Sequence, residues 1–131
     1  MNDDQNKIPR VLNILVVDDD EKFRDVVSSR LSKAAFRVTT AKDGDAALVA
    51  LEAGKFDLVV LDIVMPGMSG FEVLRAIREK NIETKIIMLS VLRQEEDLRL
   101  AKELGASECF PKLAPAFVDD VVKYAERMST Q

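Results

Sequence analysis

The chain has 131 residues, 47% apolar and 32% charged, with 23 acidic and 19 basic side chains and a net charge of −4. That length suits one domain with a single sizeable core, and the acidic balance argues against a general nucleic-acid binder, which carries a basic excess. There is no histidine, which excludes Ser-His-Asp and Cys-His nucleophiles and a phosphohistidine, and limits any metal site mainly to oxygen ligands, suited to magnesium, calcium or manganese rather than zinc.

Residues 1–11 are expected to form a flexible segment ahead of a domain over 12–128, with 129–131 as a tail. The N-terminus lacks the apolar core of a signal peptide, and no apolar run is long enough to span a bilayer. The single cysteine, Cys109, has no partner for an intramolecular disulfide, and these features together favour the cytoplasm. Ile14 to Val17 is a short apolar run that stops at three aspartates, and it reads as a buried strand. Phe23, Val26, Val27, Leu31 and Ala34 recur at helical spacing, which predicts an amphipathic helix over 21–35, with Asp20 as its N-cap. Arg37 to Thr40 reads as a strand nearer the sheet edge. Ala46, Ala47, Ala50 and Leu51 share a helical face, with Gly54 as its C-cap.

Leu58 to Leu61 is the most apolar strand candidate and ends at Asp62. Pro66, Gly67, Ser69 and Gly70 mark a loop. Ser69 and Glu72 have capping-box spacing for a helix that turns Leu74 and Ile77 inward. Ile86 to Leu89 is a further strand, ended by Ser90. Leu98, Ala101 and Leu104 mark a helix face closed by Gly105, and Glu108 to Phe110 a short last strand. Pro111 lacks an N–H, which an edge or strand end tolerates. Pro115 suits the first turn of a final helix with Phe117, Val118, Val121, Val122 and Ala125 inward.

Five strand–helix units in alternation predict an α/β fold, a doubly wound parallel sheet of flavodoxin-like order 2-1-3-4-5 with five helices. In such sheets ligands sit beyond the carboxyl ends of the strands, at the switch point of strand order. The polar residues fall there: Asp18, Asp19 and Asp20 after the first strand, Asp62 after the third, Ser90 after the fourth, Lys112 after the fifth. Asp18, Asp19 and Asp62 should converge, with Ser90 and Lys112 on the other side of Asp62. Two like charges about 4 Å apart repel by roughly 4 kcal/mol at an effective dielectric near 20, and Mg2+ offsets such repulsion while bridging carboxylate and phosphate oxygens. The chemistry that fits is phosphoryl transfer to the Asp62 carboxylate, with Lys112 and the metal neutralising the phosphoryl oxygens and Ser90 donating a hydrogen bond. Taken singly, each residue has a plain reading as a cap, loop or surface residue; the joint placement at four strand ends carries the signal.

The segments ILVVDDD at 14–20, AKDGDAAL at 41–48, LDIVMPGMSG at 61–70, LS at 89–90 and FPKL at 110–113 resemble the receiver domains of bacterial two-component response regulators, and the likeness covers residues 12–128. The resemblance implies that Asp62 is the phosphoacceptor, and that Asp18, Asp19, Asp62 and the Val64 backbone carbonyl bind Mg2+ (or Mn2+), Asp19 more directly than Asp18. It makes Ser90 the hydroxyl residue and Lys112 the phosphate-binding lysine, with no organic cofactor. Met65, Pro66 and Gly70 would shape the loop without touching anything reactive.

Such a domain takes its phosphoryl group from a sensor histidine kinase or histidine phosphotransfer protein, is an acceptor rather than a turnover enzyme, and acts on a downstream target or output domain. It binds neither nucleic acid nor membrane itself, and its fourth-helix, fifth-strand and fifth-helix face is a possible homodimer contact. Three positions depart from the family pattern. Val91 replaces a small residue beside the access route, which points to slow phosphotransfer. Cys109 occupies the place of the switch aromatic, where packing is its expected role. Leu113 follows the lysine where the family has proline, and a cis bond there would cost about 3 kcal/mol. Val64 and Leu92, each two residues beyond a site residue, are apolar and hold no attacking water, so slow hydrolysis is expected. Three other readings stand beside this one. They are a never-phosphorylated interaction module of the same fold, an Mg2+-dependent hydrolase with an aspartyl nucleophile, and a flavin-binding doubly wound domain.

Overall fold

A computed structural model describes residues 8–91, 95–112 and 116–131. The expectations placed on residues 1–7, on Leu92, on Leu113 and its peptide bond to Lys112, and on Pro115 lie outside the described residues. The chain alternates strictly: β1 (Asn13–Val17), α1 (Glu21–Lys33), β2 (Arg37–Ala41), α2 (Gly44–Ala53), β3 (Leu58–Asp62), α3 (Gly70–Glu79), β4 (Lys85–Ser90), α4 (Glu95–Glu103), β5 (Glu108–Pro111) and α5 (Phe117–Ser129). The sheet is five-stranded and parallel, in the expected order β2-β1-β3-β4-β5.

Alternation along the three central strands divides their side chains between two cores. Ile14, Val16, Leu58, Val60, Ile87 and Leu89 face α1 and α5, where Val27, Leu31, Val121 and Ala125 meet them. Leu15, Val17, Val59, Leu61, Ile86 and Met88 face α2, α3 and α4, against Leu51, Leu74, Ile77 and Ala101. Every residue of β3 is buried, which is why that stretch reads as an unbroken apolar run rather than an alternating one.

Three of the helices begin on side-chain caps. Asp20 Oδ1 accepts from the amides of Lys22 and Phe23 at 2.9 and 3.3 Å. Asp43 caps α2 through the Ala46 amide at 2.8 Å, and Ser69 Oγ caps α3 through the Glu72 amide at 3.3 Å. Gly54 ends α2 as expected, in extended backbone (φ −153°). Two details differ from expectation. Val26, expected on the apolar face of α1, is 48% exposed. On α4 only Ala101 is buried, while Leu98 stays 37% exposed; Leu104, just past the helix, packs partly buried against the same core as Ala101. Pro111 pairs with Ser90 at the end of the edge strand β5, where its missing N–H is tolerated.

Candidate functional site

The register sets the carboxyl ends of the central strands side by side. Val17 is level with Leu61, Asp62 with Leu89, and Ser90 with Pro111. Residues that follow β1, end β3 and β4, and follow β5 therefore share one rim. Asp18, Asp19 and Asp62 each offer a carboxylate oxygen within 4.8 Å of the others. Asp18 and Asp62 are buried and Asp19 is exposed.

Lys112 is buried with them, and it bridges Asp18 and Asp62 instead of lying beyond Asp62. Its Nζ donates to Asp18 at 2.9–3.1 Å and to Asp62 Oδ2 at 3.2 Å. The amide of Lys112 donates to the Ser90 carbonyl at 2.8 Å, which ties the lysine to the end of β4. Ser90 itself is buried. Val64 lies two residues beyond Asp62 with its side chain 54% exposed, and Val91 is half-buried.

The electrostatics follow from this crowding. Asp62 is pushed up from 3.8 to about 6, first by its burial and then by the Asp18 charge, with Lys112 pulling the other way. Burial works against the Lys112 ammonium, but the hydrogen bond to Asp18 and the charges of Asp62 and Asp18 outweigh it and hold its pKa above the ordinary value. One lysine thus faces three carboxylates. The buried Asp62 Oδ1 accepts no hydrogen bond from the described residues, and a buried polar atom of that kind asks for a partner. Clustered carboxylate oxygens with a net negative surplus are the donor set of a hard divalent cation, so these residues fit a bound metal.

Residues 14–122 match the family model described as the response regulator receiver domain. The chain belongs to this family. Among curated relatives, the alkaline phosphatase synthesis transcriptional regulatory protein PhoP of Bacillus subtilis is 38% identical over 117 residues, covering 88% of this chain and 49% of that protein. The transcriptional regulatory protein CpxR of Escherichia coli is 38% identical over 99 residues, covering 76% and 42%. The chain spans about half the length of the curated relatives it matches. A Francisella response regulator receiver domain superposes with a TM-score of 0.83 at 27% identity, covering 90% of this chain and 96% of that one. The response regulator TrrA of Thermotoga maritima, solved in complex with Mg2+-BeF, gives 0.75 at 34% identity, covering 87% and 98%. The sheet order and five helices are those of the flavodoxin-like receiver fold.

The receiver's rim also contains parts that the sequence did not single out. Arg24 Nη1 donates to the Asp18 carbonyl at 2.9 Å, and the Asp20 amide donates to Asp18 Oδ1 at 2.9 Å. Both fix the acidic turn, and the placement of Arg24 one turn into α1 is the only sequence signal for it. Gly70 does more than shape the loop: a Cβ there would lie 2.3 Å from the Asp62 carbonyl oxygen and 2.8 Å from Ile63 Cα. Its amide donates to the Ile63 carbonyl at 2.8 Å. It touches the backbone of Asp62 and not the carboxylate. Cys109 packs half-buried against the core on the α4 side. Its thiol is pushed up to about 11, first by burial and then by the negative charges of Asp97 and Glu108.

Proposed function

We propose that this receiver domain accepts a phosphoryl group on Asp62 in an Mg2+-dependent reaction, from the phosphohistidine of a sensor kinase or phosphotransfer protein, in the cytoplasm. The observation that carries the reading is the convergence of three carboxylates and one buried lysine at the switch point of the sheet. Asp18, Asp19, Asp62 and the Val64 carbonyl would hold the ion, Asp19 more directly than Asp18. When bound, Mg2+ supplies positive charge against the phosphoryl oxygens and relieves the repulsion among the carboxylates.

An Asp62 carboxylate oxygen attacks phosphorus in line. The new P–O bond forms as the P–N bond of the donor breaks, and the electron pair leaves with the imidazole. The Lys112 ammonium, held between Asp18 and Asp62, stays on the product phosphoryl group. Ser90 donates its hydroxyl to the same group and carries the change into the chain that follows it. The phosphoryl group adds about −1.5 to −2 charges. The response is a shift of the α4, β5 and α5 face, which sets affinity for an output partner or a second copy of the chain. Val64 orients no water, so the acyl phosphate turns over slowly.

The test is exposure to phosphoramidate with and without Mg2+, read by intact mass on wild type and Asp62→Ala. A gain of one phosphoryl group that needs Mg2+ and disappears in the variant supports the proposal. Wild type that stays unmodified beside a donor shown to be active would overturn it in favour of a constitutive interaction module.

A further inference from the structure

Lys112 reaches the acidic site from the end of an edge strand, on a flexible four-carbon stem. Two carboxylates bind its ammonium, and Coulomb attraction alone lets it follow either one. A third neighbour restrains it: Lys112 Nζ lies 4.3 Å from the centroid of the Phe23 ring. A cation at that distance from a ring is attracted by the ring quadrupole, more strongly when water is excluded, and Lys112 is only 6% exposed.

The ring is itself fixed. Phe23 is the third residue of α1, and its amide is one of the two that the Asp20 cap accepts from. Asp20 follows the acidic pair directly, so one short capped turn joins the ring to Asp18 and Asp19. On its other side Phe23 packs against Phe117, the buried first residue of α5, with ring centroids 5.9 Å apart and planes tilted by 52°. A half-buried phenylalanine on α1 has a sufficient explanation as core packing. The aromatic–ammonium contact is what packing does not require, since an aliphatic side chain would fill the same stripe.

We propose that Phe23 is a positioning residue for phosphoryl acceptance, its ring holding the Lys112 ammonium aimed at the arriving phosphoryl oxygens. This rests on the role given to Lys112 in the proposed function. The ring reduces the arc over which the ammonium moves, so less ordering remains to be done when phosphorus approaches Asp62. It does not touch the phosphoryl group, and acts only through Lys112.

The experiment measures the rate of phosphorylation by phosphoramidate at saturating Mg2+ for wild type, Phe23→Leu and Phe23→Tyr, each also in a Lys112→Ala background. Phe23→Leu should lower the rate about threefold to tenfold, the range expected for losing one partly desolvated cation–π contact. Phe23→Tyr keeps a ring face and should stay within about twofold of wild type. With Lys112→Ala, Phe23→Leu should change nothing further, which a packing role would not produce. The proton spectrum supplies a second readout: the ring should shift the Lys112 ε-methylene protons upfield in wild type and Phe23→Tyr, and not in Phe23→Leu. Equal rates for wild type and Phe23→Leu would overturn the inference. So would an undiminished loss in the Lys112→Ala background, or unshifted ε protons in wild type. Wild type that takes up no phosphoryl group at all sinks the proposed function, a separate result.

Discussion

Asp62 is 1% exposed and sits beside Asp18 with its pKa raised from 3.8 to about 6. The metal-free protein therefore loses stability by keeping this carboxylate ionised. Between the two values the folded chain holds the proton that the unfolded chain has released, so stability falls as pH rises from about 4 to about 6 and stays lowered above that. A difference of about two pKa units corresponds to roughly 3 kcal/mol. Asp62→Asn removes the charge, keeps an acceptor for Lys112, and turns an amide toward the other carboxylates. In EDTA at pH 7.5 it should be more stable than wild type by about 2–3 kcal/mol, or about 5–10 °C in Tm for a domain of this size. The gap should shrink as pH is lowered toward 4.5, where wild-type Asp62 is protonated. Mg2+ should narrow it from the other side, by stabilising wild type more than the variant. Urea and thermal unfolding of both proteins across this pH range, with EDTA or Mg2+, are the assays. An Asp62→Asn protein no more stable than wild type at pH 7.5 in EDTA refutes the reasoning, as does a gap that ignores pH.

Lys112→Ala leaves two buried carboxylates facing each other and should cost about 3 kcal/mol in EDTA, partly restored by Mg2+; urea midpoints with and without the ion decide this. Gly70→Ala and Gly67→Ala form a contrasting pair in one loop. At Gly70 the added methyl collides with Asp62 and Ile63 backbone and should cost about 2–3 kcal/mol. At Gly67 nothing lies within 4 Å and only the φ of +77° is strained, so about 1 kcal/mol is expected; equal costs would contradict the steric account. Folded wild type at pH 8 should react with iodoacetamide about two orders of magnitude more slowly than a free thiol, because burial keeps Cys109 protonated. Its rate should climb with pH toward 11, and a free-thiol rate would show that the side chain is open to solvent.

The fold was legible because a parallel sheet covered on both faces makes strands into short apolar runs, and here each run stops abruptly at a polar residue. Those stops, at Asp18, Asp62 and Ser90, are the rim itself, so locating the strands also located the candidate site. What stayed hidden depends on reach rather than on period. Strand order places Lys112 near Asp62, but only the path of its stem brings the ammonium across to Asp18 as well. Helical spacing assigns Phe23 to an inward stripe, and gives no sign that the ring meets a cation contributed from the opposite end of the chain. The same limit applies to Leu98: periodicity puts it on a face with Ala101 and Leu104, and cannot say whether anything covers that face. Gly70 was visible as a loop residue, while the near approach of Asp62 backbone that demands it arises only when β3 and α3 pack.

Val64 stands two residues from a carboxylate that water hardly reaches, yet its own side chain is mostly in solvent. Exposed substitutions away from special features seldom change stability by more than about 0.5 kcal/mol. In the proposed reaction the lifetime of the acyl phosphate would therefore depend on a position that bears little of the fold's weight. Exchange of this one side chain would then lengthen or shorten the signal, while the acidic rim, the lysine and both cores stay as they are.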